Sequence, residues 1–315
     1  SPEAAGALPE NAIWIDLLNP TPEEDRAVEA WTKAPVPTRD DMREIEESSR
    51  FYSEDGAQYL TAPVLHAADS EYPGVSPVTF ILTGSKLVTV RYTEPKSFGL
   101  YIARALKPGN SLIGPRCDGL GIFLGLLEAI IDRLADILEN VALGIDRSSA
   151  DIFGRSPETK PMGTADFRES LTRIGRQGEF LSKVRESLAG VSRLLVYLST
   201  SLKQDTVRKD ARTWLRSLER DAQSLTTYVD YLSNRITFLL DTLVGLISIE
   251  QNAIIKIFSV AAVGFMPPTL VASIYGMNFH RMPELSWSFG YPMAIGIMVL
   301  SAVLPLIYFR RKGWL

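Results

Sequence analysis

The sequence predicts an α+β domain followed by a very long helix that continues into the first of two membrane-spanning segments. Three observations carry this reading. Strand and helix patterns alternate over the first hundred residues, a heptad seam runs from Leu215 to Leu246, and two strongly apolar stretches lie near the end of the chain.

In the first part, AIWIDLL, YLTAPVLHAA, PVTFILTG and KLVTVRYT read as strands. TPEEDRAVEAWTKA and PTRDDMREIEESS read as helices, because Thr or Asp precedes an acid-rich first turn in each. VTFILTGSKLVTVRYT predicts a hairpin turning at Gly84-Ser85. Residues 1–115 are assigned to this mixed α/β domain.

Beyond it the strand signals cease and three long helical patterns follow, the first two separated by FGRSPETKPMGTADF. Residues 116–204 are expected to form a helical hairpin and 205–253 a stalk. In the third pattern Leu215, Leu218, Ala222, Leu225, Val229, Leu232, Ile236, Leu239, Leu243 and Leu246 recur at steps of three and four. Such a seam packs lengthwise against other helices, and Leu232 and Leu239 are expected to hold an oligomer together. From Asp205 no proline intervenes until Pro267-Pro268, so one helix of roughly 100 Å is predicted, at about 1.5 Å per residue.

From Ile254 to Ile274 the only charge is Lys256, and from Pro292 to Phe309 there is none. Each stretch can cross roughly 30 Å of hydrocarbon, and apolar runs of this length are uncommon in soluble cores. The spans are set at 254–274 and 292–309, with a loop at 275–291 and a basic tail at 310–315. Arg310, Arg311 and Lys312 end the second span and Lys256 opens the first, whereas the loop balances Arg281 with Glu284. The excess of basic residues puts both ends in the cytoplasm. SPEAAGALPE opens the sequence without an apolar signal segment, so residues 1–253 are expected to stay inside and the loop to face out.

The net charge is −4, and residues 1–253 carry 28 Lys+Arg against 36 Asp+Glu, a net of −8. Nucleic acid is not expected as a partner of such a surface. Attraction of metal cations and simple solubility both fit it. The lone Cys117 excludes an internal disulfide framework, and with His66 and His280 as the two histidines no zinc cluster of the usual spacing arises. Both histidines read as surface residues. No catalytic constellation and no GxxxxGK[ST] phosphate loop is present, so the chain is not read as an enzyme and no cofactor is expected.

Steps of three and four along the first span give Ile255, Phe258, Ala262, Met266, Thr269 and Ser273, with Asn278 just past the helix end. This stripe is bulky and apolar at its inner end and small or polar at its outer end. The second span holds only Ser301 as a polar residue and reads as lipid-facing. Two helices cannot enclose a water-filled path, so conduction requires several copies around an axis. The small residues of the stripe fit a helix-packing face equally well. Pro267-Pro268 frees carbonyls within the bilayer, which is tolerated where they line a cavity or are buried in protein.

Tyr275-Gly276-Met277-Asn278, directly after the first span, resembles the signature of the CorA family of divalent-cation transporters. The resemblance continues through Phe279, Met282-Pro283-Glu284-Leu285, WSFGYP and the ending YFRRKGWL. It implies a homopentameric funnel with α/β/α layers in its cytoplasmic domain, sited in the cell inner membrane. It further implies passage of Mg²⁺, and also Co²⁺ and Ni²⁺, down the electrochemical gradient without ATP. Carried across, Asn278 forms a ring of side-chain amides at the outer mouth, and Gly276 and Met277 shape the turn presenting it. Ser273, Thr269, Met266 and Ala262 face the pore, and Phe258 and Ile255 form its hydrophobic constriction.

The family's regulatory Mg²⁺ between neighbouring cytoplasmic domains gives Asp221, Asp230 and Asp241 as candidate ligands, although a solvated helix face also accounts for each. A zinc-transporting relative is associated with a different middle residue in the motif, so Met277 argues for magnesium. A membrane-tethered scaffold that conducts nothing explains the seam and spans, but gives the Asn278 loop no role.

Overall fold

The computed structural model describes residues 8, 9, 11–107, 118–154, 162–201, 209–277, 280 and 282–314. Its residues group into two compact units, Ser1–Leu240 and Asp241–Leu315.

In the first unit, strand β1 (Trp14–Leu18) leads into helix α1 (Pro22–Thr32), which a capping box opens: Thr21 accepts from the Glu24 amide and Glu24 reaches back to the Thr21 amide. A single-turn helix α2 (Glu47–Arg50) precedes strands β2 (Phe51–Glu54), β3 (Ala57–His66), β4 (Gly74–Thr83) and β5 (Lys86–Arg91). The sheet order is β1-β5-β4-β3-β2, with β1 parallel to β5 and the other pairs antiparallel. The β4–β5 hairpin closes at Thr83↔Lys86 around Gly84-Ser85, and Gly84 takes the positive φ of 57° that this tight turn requires.

Alternate residues of the sheet serve two layers. On one face Leu17, Tyr59, Ile81, Val88 and Val90 cluster with Val28 of α1 and with Met42. On the other face lie helices α3 (Lys96–Ala105), α4 (Gly119–Phe153) and α5 (Thr164–Ser201). There Phe80 meets Phe98 of α3 and Phe123 of α4, while Gly190 of α5 lies so close to β3 that an added Cβ would be 2.2 Å from Pro63 Cδ. This is the expected α/β/α layering. Buried Arg91 is tied to Asp16 at 2.7 Å, and the indole N–H of Trp14 donates to Thr89, whose hydroxyl donates to Asp16.

The expected helix over PTRDDMREIEESS does not form. Thr38 donates its amide and hydroxyl to the Asp41 carboxylate, a 3₁₀ turn covers Asp41–Arg43, and Glu44 is extended before α2. The segment has no apolar face to bury: Met42 goes inward and Ile45 is 85% exposed, so propensity alone does not sustain a helix. Strand β2 was missed because the helical reading ran up to it. Its signal is Asp55-Gly56, whose positive φ values of 48° and 82° make the β2–β3 turn. Helix α3 also went unread; Gly99 interrupts its pattern, although Phe98 and Tyr101 are buried on one face.

Helix α6 (Lys209–Tyr275) is continuous over 67 residues. Its seam is a correction to the oligomer expectation. Leu215, Leu218, Val229, Leu232 and Leu239 are already buried within the single chain. Around them Arg185 of α5 bonds Asp230 and Ser233, Arg235 pairs with Asp146 of α4 at 2.7 Å, and Phe238 stacks on Phe153 of α4. In the second unit the end of α6 is followed by a 3₁₀ turn, Pro283–Ser286, and helix α7 (Gly290–Arg311).

Candidate functional site

The end of α6 and the whole of α7 are long and apolar enough to cross a membrane, and each apolar window is only 6% buried. A helix of this hydropathy in a soluble core would be mostly buried; these present their greasy surface outward, as lipid requires. Helix α7 spans 22 residues, about 33 Å. Trp287, Phe289 and Tyr291 are exposed at its start and Tyr308 and Trp314 at its finish, the spacing of two interfacial aromatic belts.

The two faces of α6 differ. Ile255, Phe258, Ala262, Met266, Thr269 and Ser273 are all exposed, Phe258 by 72% and Met266 by 69%. Val260 is buried, and an added Cβ on Gly264 would lie 3.8 Å from Leu306 of α7. Gly264 lies two residues from Ala262, hence roughly 200° around the helix. Within the chain α6 therefore meets α7 on the Val260–Gly264 face, and the predicted stripe is exposed among the described residues. The four-residue spacing of Val260, Gly264 and Pro268 was the available signal for that contact. Ser301 also turns out half-buried, its hydroxyl donating to the Met298 carbonyl, whereas the lipid-facing reading had the whole of α7 outward.

Pro267 and Pro268 sit inside α6, which continues past them. They donate nothing to the carbonyls of Val263 and Gly264. Thr269 Oγ1 donates to the Phe265 carbonyl at 2.7 Å, which commits its proton and leaves the hydroxyl lone pairs to act as acceptors on the exposed face.

Past Tyr275 the chain makes one more turn, with the Gly276 amide bonded to the Ala272 carbonyl and Met277 to Ile274. An added Cβ on Gly276 would lie 3.2 Å from the Ala272 carbonyl oxygen, which favours glycine there. Met277 is half exposed; Asn278 and Phe279 lie outside the described residues. At the other end of the loop an added Cβ on Gly290 would be 2.2 Å from the Glu284 carbonyl oxygen, so the glycine of WSFGYP permits this close return.

Residues 9–311 match the family described as CorA-like Mg²⁺ transporter protein. The chain belongs to this family. The Magnesium transport protein CorA of Pasteurella multocida (strain Pm70) is 37% identical over 305 residues, 97% of this chain and 92% of that one. That of Escherichia coli (strain K12) is 35% identical over 306 residues, again 97% and 92%. Among solved structures, the complete CorA magnesium transporter of Methanocaldococcus jannaschii superposes with a TM-score of 0.75 at 20% identity, covering 96% of this chain and 91% of that one. The full-length CmaX protein superposes with a TM-score of 0.69 at 15% identity, covering 98% and 90%. At these identities the superpositions establish the fold, and the family is one of transporters, not enzymes.

The CorA regulatory candidates Asp221 and Asp230 have different neighbours within the first unit. Asp230 is held by Arg185 at 2.8 Å, Asp221 lies near Glu128, and Asp241 is exposed in the second unit. Among the described residues no three His, Cys, Asp or Glu side chains converge as a metal site. Burial raises the Glu128 carboxyl above its ordinary range, against the Trp214 N–H bond that lowers it; Asp132 and Asp221 raise it further. His66 is half-buried, not a surface residue, and burial lowers its pKa; His280 is exposed. Cys117 lies outside the described residues.

Proposed function

We propose that the chain is a Mg²⁺ transporter of the inner membrane, assembled as a homopentamer whose α6 helices line the pore. The observation that carries the reading is the stripe from Ile255 to Ser273: exposed on α6, opposite the face turned to α7, and leading to Gly276-Met277-Asn278. The curated relatives named magnesium transport proteins, which cover nearly the whole chain, support Mg²⁺ as the substrate.

Mg²⁺ dehydrates reluctantly, and the waters around it present only donors outward. A ring of Asn278 amide oxygens, followed by Ser273 and Thr269, accepts from that shell without stripping it. Five carboxylates there would hold the ion too tightly for release. The same neutral ring passes Co²⁺ and Ni²⁺. Both termini are cytoplasmic, as the basic tail requires, so a divalent ion moving inward gains about 4.6 kcal/mol per 100 mV, twice the value for one charge.

Ile255 and Phe258 close the inner end by excluding water. Mg²⁺ at the interfaces between cytoplasmic domains, through carboxylates such as Asp221 and Asp241, favours the closed arrangement, and its loss releases it. Asp230 is a weaker candidate because Arg185 already neutralises it.

The test is ion flux into liposomes holding the purified protein, with Mg²⁺, Co²⁺, Ni²⁺ and Zn²⁺ compared under an inside-negative potential. Mg²⁺ uptake driven by voltage alone, and abolished in Asn278→Ala, is expected. Proton-dependent Zn²⁺ uptake, or intact uptake in Asn278→Ala, would overturn the assignment.

A further inference from the structure

Helices α6 and α7 enclose between them an apolar groove of about 580 Å³, lined by Val260, Gly264, Phe265, Ala302, Leu306 and Trp314 among others. That volume lies within the roughly 300–1,000 Å³ of small-ligand sites. Trp314 connects the groove to a cluster of cations. Lys256 Nζ lies 5.8 Å from the Trp314 ring centroid, Phe309 stacks on the same indole at 5.2 Å, and Lys312 Nζ lies 5.6 Å from the Tyr308 ring. Lys256, Arg310, Arg311 and Lys312 are exposed and take part in no ion pair among the described residues.

The acids of the second unit do not answer this charge. Glu284 precedes α7, at the end opposite its basic residues, while Glu250 and Asp241 precede Lys256 by six and fifteen residues, about 9 and 22 Å along the helix. A second copy seated in the groove would bring its own four cations to the same depth, because rotation about an axis normal to the membrane preserves depth. Like charges would then meet where the groove opens. A ligand that is apolar along its length and anionic at one end has the complementary pattern.

We infer that this groove binds an anionic phospholipid, one acyl chain lying along Val260, Gly264 and Ala302 and the headgroup phosphate among Lys256, Lys312 and Arg310, with Trp314 between the two regions. Aromatic side chains favour this boundary between apolar chain and wet headgroup. The inference rests on α6 and α7 spanning the bilayer and on no property of the pore.

The test uses the full-length protein in detergent micelles doped with equal phosphatidylglycerol and phosphatidylcholine, with retained lipid counted by native mass spectrometry. Preferential retention of phosphatidylglycerol is expected. Lys256→Gln and Lys312→Gln should each weaken it about fivefold, the weight of one basic residue at an anionic surface. Gly264→Phe, which fills the groove, should remove it while leaving the oligomer mass unchanged. Equal retention of the two lipids, unaltered retention in both lysine variants, or full retention in a normally assembled Gly264→Phe protein would overturn the inference. If Gly264→Phe fails to assemble, the lysine variants still decide, since neither residue is buried. Lipid retention is read without flux, so failure of the transport reading would not be mistaken for failure here.

Discussion

Replacing Phe258 with Ala tests the constriction. In the single chain 72% of Phe258 is open, on the order of 110–180 Å² of the roughly 150–250 Å² such a ring can bury. If roughly a third of that area passes from dry to wet when the pore opens, the cost is about 1–1.5 kcal/mol per chain at ~25 cal/mol/Å². Over the proposed pentamer this sums to about 5 kcal/mol or more, close to four decades in open probability at ~1.4 kcal/mol each. Ala retains little of this barrier while keeping helix propensity. The assay is Mg²⁺ uptake into proteoliposomes preloaded with high internal Mg²⁺, where the parent protein is expected to be closed. Phe258→Ala should raise that basal uptake by orders of magnitude. Unchanged uptake would remove Phe258 from any water-excluding ring, and an equal rise in Leu232→Ala would show that loss of packing, not wetting, opens the path.

Leu232 is fully buried within the chain, so Leu232→Ala should destabilise each chain by about 2–5 kcal/mol, seen as a lower unfolding midpoint of the full-length protein in detergent. Flux per folded oligomer should be unchanged. Thr269→Val keeps the shape of the stripe but removes its acceptor; a neutral hydrogen bond of about 1 kcal/mol translates to a several-fold lower Mg²⁺ flux, with helicity unchanged by circular dichroism. Glu128 holds its proton more tightly folded than unfolded, so its effect on stability is most favourable below the unfolded pKa and declines as pH rises through the folded one. Glu128→Gln keeps an acceptor for the Trp214 N–H and should gain stability relative to the parent as pH rises from about 4 to 7, measured by denaturant midpoints across that range.

What could be read from the sequence followed the physics that is local. The strands β3, β4 and β5, the Gly84-Ser85 turn and the run of α6 all depend on periodicity or on a single turn residue, and all were legible. The segment after Pro37 was not, because capping signals mark where a helix can start, and only burial decides whether it persists. Met42 alone goes inward there, while Ile45 is 85% exposed. The seam of α6 was legible as a seam but not as to partner: a heptad pattern states that a face is buried, and says nothing of whether the covering helix belongs to the same chain. Here Arg185, Asp146 and Phe153 of α4 and α5 supply the answer. The stripe from Ile255 to Ser273 was legible as a spacing, but which face of α6 meets α7 was not: in the structure Gly264 lies beside Leu306 and the stripe is exposed.

That distinction bears on how the proposed pore both selects and releases. A lining for hydrated Mg²⁺ needs acceptors, because every outward group of the ion's shell is a donor, and it needs them weak. Thr269 meets the first condition through its own backbone: with its proton committed to Phe265, the hydroxyl offers only lone pairs to the exposed face. The second condition follows from neutrality. A neutral hydrogen bond contributes about 1 kcal/mol net, against about 1.5–3 kcal/mol for one to a charged group, so a ring of neutral acceptors holds the ion's shell less tightly than a ring of carboxylates would. A carboxylate ring would add direct charge attraction and turn the pathway into a binding site. The side chains of the stripe, Ile255, Phe258, Ala262, Met266, Thr269 and Ser273, carry no charge, and in the proposed pore that absence of carboxylates is what would let the field move the ion on toward Phe258.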